Sequence, residues 1–118
     1  LAKHQLLGQE GEALAVIWLT EKGYTMLHRN WRYSYYEVDI IASLNNVLHF
    51  IEVKTRRSKK FGDAEEAVDN KKISNLMNAG EEYQYQYPQW KRVQYDVLSI
   101  NLYPNNTADY FFIEDIYL

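Results

Sequence analysis

The sequence predicts an α/β fold in which a helix, three strands, a second helix and a further strand follow one another. Three observations carry this. Apolar side chains recur at helical spacing over residues 5 to 22 and again over residues 70 to 84. Two apolar runs flank Asn45 and Asn46, and Asn tolerates positive φ better than most residues, so this pair reads as the loop of a tight hairpin. Val93 to Leu102 then alternates as a strand. With 118 residues the chain can build one core and not two, so residues 1–118 are read as a single domain.

The first helix carries Leu7, Leu14, Ile17 and Trp18 on its apolar stripe, with Ala13 and Ala15 between them. Gly23 suits its C-cap. Gly8 and Gly11 weaken its first turns but let another backbone or a ligand come close. Glu12 reads, on its own residues, as a surface glutamate favoured by the helix dipole. Tyr24 to Trp31 is the first strand, with Tyr24, Met26 and His28 on one face. His28 reads as a packing or surface residue rather than a ligand. The tyrosines at 33, 35 and 36 read as the margin of the core, with base stacking as the alternative.

The hairpin organises the rest. If Leu44 faces Val47, stepping outward along both strands places Asp39 opposite Glu52 and Glu37 opposite Lys54. Side chains alternate faces along a strand, so all four charges are expected on one face. His49 falls on the other face and is not counted as a ligand. Both faces are otherwise apolar, which predicts that these strands run through the middle of a sheet with both sides covered. Two carboxylates at contact distance in apolar strands repel each other. They share a divalent cation, take up a proton, or splay into water; the cation is the favoured reading.

Lys54, Arg56, Arg57, Lys59 and Lys60 supply five of the thirteen basic residues within one short run. Beside the carboxylates, such a run is a candidate phosphate-contacting surface, its alternative being a solvated loop. The segment 61–68 is a transition. Asp69 is a good N-cap for the second helix, whose stripe is Ile73, Leu76, Met77 and Gly80. Lys72 lies in its first turn, where a cation opposes the dipole, a weak sign of another role. Of Tyr83, Tyr85, Tyr87 and Trp90, at least two are expected in the core. After the strand at 93–102, the residues from Pro104 signal a turn, and Tyr110 to Ile113 is a last short strand.

Composition sets outer limits. The chain is 47% hydrophobic and 25% charged, ordinary for a folded protein, and its net charge of −3 does not advertise a nucleic-acid binder. It has no cysteine, which excludes disulfides and thiolate metal sites and is compatible with a reducing, cytoplasmic setting. No apolar run approaches the roughly 20 residues of a membrane span. Residues Leu1 to Gln5 lack the apolar core of a signal peptide.

The element order, with Glu37-Val38-Asp39 on one central strand and Glu52-Val53-Lys54 on the next, resembles the PD-(D/E)XK, restriction-endonuclease-like superfamily. More closely, the chain resembles the UPF0102 or YraN-like family of predicted nucleases, to which archaeal Holliday-junction resolvases are similar. The matching residues are Gly8, Gly11-Glu12, Ala15, Gly23-Tyr24, Arg29 to Arg32, Glu37 to Ala42, Phe50 to Arg56, Ala67-Val68, Lys72 and Tyr95 to Val97. The resemblance implies an αβββαβ core with a central mixed sheet flanked by helices. It implies Asp39, Glu52 and Lys54 as catalytic residues, and Mg²⁺ or Mn²⁺ held by Asp39, Glu52 and the Val53 carbonyl, with Glu12 as an outer ligand. Glu37 and Lys72 are supporting residues, while Arg56, Arg57, Lys59 and Lys60 meet backbone phosphates. The activity expected is hydrolysis of DNA, with branched or structured DNA as a candidate substrate and a homodimer by analogy. The alternatives are a nucleic-acid-binding module with weak or no cleavage, and an adaptor using the Tyr-rich segment at 83 to 90.

Overall fold

A computed structural model describes residues 3–57 and 69–116, with side chains from Leu7 onward. The elements are α1 (Lys3–Glu21), β1 (Thr25–Tyr33), β2 (Tyr36–Leu44), β3 (Val47–Arg57), α2 (Asn70–Gln86), β4 (Val93–Leu102) and β5 (Ala108–Ile113). The five strands form one sheet in the order β1-β2-β3-β4-β5. The β3–β4 pair is parallel and the others are antiparallel, so the sheet is mixed. The αβββαβ order is therefore the one observed, with β5 added at the edge.

Helix α1 covers one face and α2 the other. The α1 side packs Ala15, Leu19 and Tyr24 on Ile40, Ala42, Ile51, Leu98 and Ile100. The α2 side packs Ile73, Leu76, Ala79 and Tyr83 on Val38, Ile41, Leu48, Phe50 and Val97. This explains why both faces of the hairpin are apolar. Helix α1 ends in a Schellman arrangement: Gly23 has φ +98, the Gly23 N–H donates to Thr20 O and the Tyr24 N–H to Leu19 O. The closest line of α1 against the sheet is Gly11, Ala15 and Leu19, spaced four apart and all buried. Ile17, expected on the stripe, is 56% exposed because it lies on the far side of that line.

Two glycines fix how close the helices come. A Cβ on Gly11 would lie 1.7 Å from Thr55 Oγ1, and one on Gly80 would lie 2.6 Å from the Tyr95 ring. Asp69 caps α2 as expected, accepting from the N–H groups of Lys71 and Lys72. The aromatic run after it divides. Tyr83 is buried, Tyr87 and Trp90 pack partly on the α2-side core, and Tyr85 is exposed.

Asn45 and Asn46 both have positive φ, 51 and 65 degrees, and the hairpin register is the expected one from Leu44↔Val47 to Ile40↔Ile51. Beyond that the expectation fails. Among the described residues the β2–β3 ladder stops at Ile40↔Ile51, so Asp39 does not pair with Glu52, nor Glu37 with Lys54, as ladder partners. The cause is a slip in alternation. Val38 and Ile41 both pack on the α2 side while Ile40 packs on the α1 side. Their neighbour β1 slips in step: Asn30 takes φ 53, between the pairs Arg29↔Ile40 and Trp31↔Val38. A further register shift between Met26 and His28 puts Met26 on the α1 side and His28 against Tyr83, so these two do not share the face expected of them.

Candidate active site

Where β2 and β3 part, the Asp39 carboxylate takes over from the ladder. Its Oδ2 accepts from the Val53 N–H at 2.8 Å. The opening is a cavity of about 450 Å³ lined by Leu7, Gly8, Glu12, Asp39, Glu52, Val53, Lys54, Thr55 and Lys72. Four elements contribute: α1 supplies Glu12, β2 supplies Asp39, β3 supplies Glu52, Val53 and Lys54, and α2 supplies Lys72. Asp39, Glu52, Lys54, Glu12 and Lys72 are thus brought to one pocket, although not by cross-strand pairing. The contact of Gly11 with Thr55 seats α1 directly on β3 and sets Glu12, one residue on, over the gap.

Glu37 stands at the rim. Its carboxylate accepts from Arg32 Nη2 at 2.7 Å, across the Arg32↔Glu37 pair of β1 and β2. Arg56 Nε donates to Asn101 Oδ1 at 3.0 Å, and Arg57 Nη2 donates to Glu10 Oε2 at 3.0 Å. Both arginines are at the end of β3, past the pocket. Lys59 and Lys60 lie outside the described residues.

The electrostatics of the pocket are those of anions withdrawn from water. Burial pushes Asp39 up to about 7; the Val53 hydrogen bond opposes this, while the charges of Glu52, Glu12 and Glu37 add to it. Burial also raises Glu52, against the pull of Lys72 and Lys54. Glu12 is raised by burial too, against the Arg29 charge and a hydrogen bond from Asn30. Among the described residues, two buried carboxylate oxygens, Glu12 Oε1 and Glu52 Oε2, have no hydrogen-bond partner. The Lys72 ammonium lies 4.0 Å from Glu52 Oε2.

A buried anionic oxygen without a donor is costly, and a hard cation relieves that cost. The donor set fits such an ion. Among the described residues, no three Asp, Glu or His side chains group closely enough to hold one by themselves. An ion here would take two carboxylates and complete its shell with a main-chain carbonyl and water, a pattern that suits Mg²⁺.

Sequence reasoning missed Thr55, Leu7 and Arg29 around the pocket. Thr55 is two residues past Val53 on the same side of β3, and Gly8 and Glu12 are four apart on α1, so alternation and helical spacing could have found part of the lining. It also missed a buried pair elsewhere. His49 Nδ1 lies 2.7 Å from Asp96 Oδ2, and Asp96 Oδ1 accepts from Gln94 Nε2 and the Asp115 N–H. His49 is on the α1 side, away from the pocket carboxylates, and its ring meets Tyr24 edge to face.

The fold and site define an α/β protein with a carboxylate–lysine pocket at the split between two central strands. The chain belongs to the Uncharacterised protein family UPF0102, whose profile matches residues 11–100. A UPF0102 protein of Bacteroides thetaiotaomicron is 40% identical over 100 residues, 85% of this chain and 83% of that one. One from Syntrophomonas wolfei is 43% identical over 95 residues, covering 80% and 83%. One from Dictyoglomus thermophilum is 39% identical over 97 residues, covering 81% and 82%. Among the described residues no helix is long and apolar enough to cross a membrane.

Proposed function

We propose that this chain is a Mg²⁺- or Mn²⁺-dependent endonuclease that hydrolyses DNA phosphodiester bonds, with branched or structured DNA as the substrate to test first. The observation that carries the reading is that Glu12 and Glu52, each with a buried carboxylate oxygen that has no hydrogen-bond partner among the described residues, line one open pocket with Asp39 and two lysines. Asp39, Glu52 and the Val53 carbonyl would hold the ion, with Glu12 behind them. When bound, the ion supplies a Lewis acid for the scissile phosphate and lowers the pKa of a coordinated water.

The other roles belong to the chain. The Val53 N–H holds the Asp39 carboxylate in the gap between strands. The Lys54 ammonium, next on β3, orients the attacking water or offsets the extra negative charge of the transition state. Glu37, bound to Arg32, adds negative charge at the rim and raises Asp39. Arg56, Arg57, Lys59 and Lys60 meet backbone phosphates without reading sequence. They give an acidic chain a local basic run. A reducing, cytoplasmic setting and a homodimer belong to the same reading.

The test is a panel of duplex, single-stranded, flap and four-way-junction DNA incubated with Mg²⁺ or Mn²⁺. Cleavage of one or more that is lost in Asp39→Asn and Lys54→Ala supports the proposal. Mn²⁺ binding by calorimetry without cleavage of any member leaves a nucleic-acid-binding module. That second reading is favoured by one observation, that the carboxylates do not form a three-membered ligand set among the described residues.

A further inference from the structure

Lys72 is placed where its own helix opposes its charge. It stands in the first turn of α2, against the positive end of the helix dipole. Its backbone is fixed, because Asp69 Oδ1 accepts from the Lys71 N–H at 3.0 Å and the Lys72 N–H at 3.3 Å. Its side chain is not fixed in the same way. The ammonium is 4.0 Å from Glu52 Oε2, outside hydrogen-bond reach, and the side chain is 58% exposed where that of Glu52 is 16% exposed. A charge on a flexible four-carbon stem therefore stands near a buried oxygen that has no hydrogen-bond partner among the described residues.

We infer that Lys72 is a displaceable counter-ion for Glu52. While the pocket is empty it partly neutralises that carboxylate. With Glu52 engaged by a divalent ion, the Lys72 ammonium would lose its partner and turn outward toward the phosphate of the nucleic acid. The inference rests on the metal-dependent reading above and adds a sequence of events to it: ion capture and phosphate capture are coupled through one side chain. Coupling of this kind is reciprocal, so the phosphate must also tighten the ion.

The test is Mn²⁺ calorimetry on the intact chain and on Lys72→Ala and Lys72→Gln, alone and with a hydrolysis-resistant phosphorothioate duplex. Melting temperatures confirm that the variants fold. Without DNA, both variants should bind Mn²⁺ about 5-fold tighter than wild type, the scale expected for losing one partly exposed like charge. The duplex should tighten Mn²⁺ binding to wild type and tighten it less in the folded variants, which keep only the direct attraction of ion and phosphate. Both results together support the inference. Folded variants that bind Mn²⁺ no more tightly than wild type, or that keep the full response to duplex, overturn it and leave the metal-dependent reading standing. Wild type that binds no Mn²⁺ overturns both.

Discussion

Asp39→Asn in metal-free protein isolates the strain held in the pocket. Burial pushes the Asp39 carboxyl from the ordinary 3.8 up to about 7 in the fold, which corresponds to about 4 kcal/mol between its two protonation states. The sign follows from linkage. Between these values the unfolded chain has released the proton and the folded chain still holds it, so stability falls as pH rises from about 4 to about 7 and levels off above. The Asn side chain keeps an oxygen for the Val53 N–H and never ionises. In EDTA at pH 8 the variant should be more stable than wild type by about 2–4 kcal/mol, roughly 10 °C in melting temperature for a domain of this size. At pH 4 the two should converge. Mn²⁺ at about 100 times its Kd should then raise wild type by about 2.7 kcal/mol and leave the variant unmoved. Urea denaturation across the pH range reads all of this. A variant less stable than wild type at pH 8, or a gap that does not close toward pH 4, refutes the burial argument.

Other expectations are simpler. Gly11→Ala drives a methyl into Thr55 and should lower stability by about 1–3 kcal/mol in thermal denaturation, with Thr55→Ala in the same chain restoring part of it. Asp96→Ala strips the acceptor from His49, Gln94 and the Asp115 N–H at once, and should lower stability by about 3–5 kcal/mol in urea. Arg32→Ala removes an exposed ion pair with Glu37 and should change stability by less than about 1 kcal/mol. Glu52→Gln should abolish Mn²⁺ binding by calorimetry while leaving the far-ultraviolet circular dichroism of the fold intact.

The hairpin shows how far sequence reading reaches. Asn45 and Asn46 announced their own backbone conformation, and the apolar alternation around them set the register for the residues nearest the turn. Alternation assumes a regular strand, and the charges lie where the strand stops being regular. Asn30 on β1 and the Asp39–Ile40 step on β2 slip together, and nothing local in either segment marks that coordination. The carboxylates still meet because Asp39 bonds to β3 through its side chain. The His49–Asp96 pair was illegible for a related reason. It joins strands whose parallel pairing is made through α2, so its partners are far apart in sequence and their alignment depends on the whole crossover.

The two early glycines of α1 differ in what surrounds them. Among the described residues a Cβ on Gly8 would meet nothing within 4 Å, although Gly8 lines the pocket. Position 8 therefore has room for a side chain among the described residues. A cysteine placed there offers a thiol for a fluorophore or spin label in a chain that otherwise has none. Bulkier side chains there would narrow the pocket from the α1 side, next to Glu12 one turn along the same helix face.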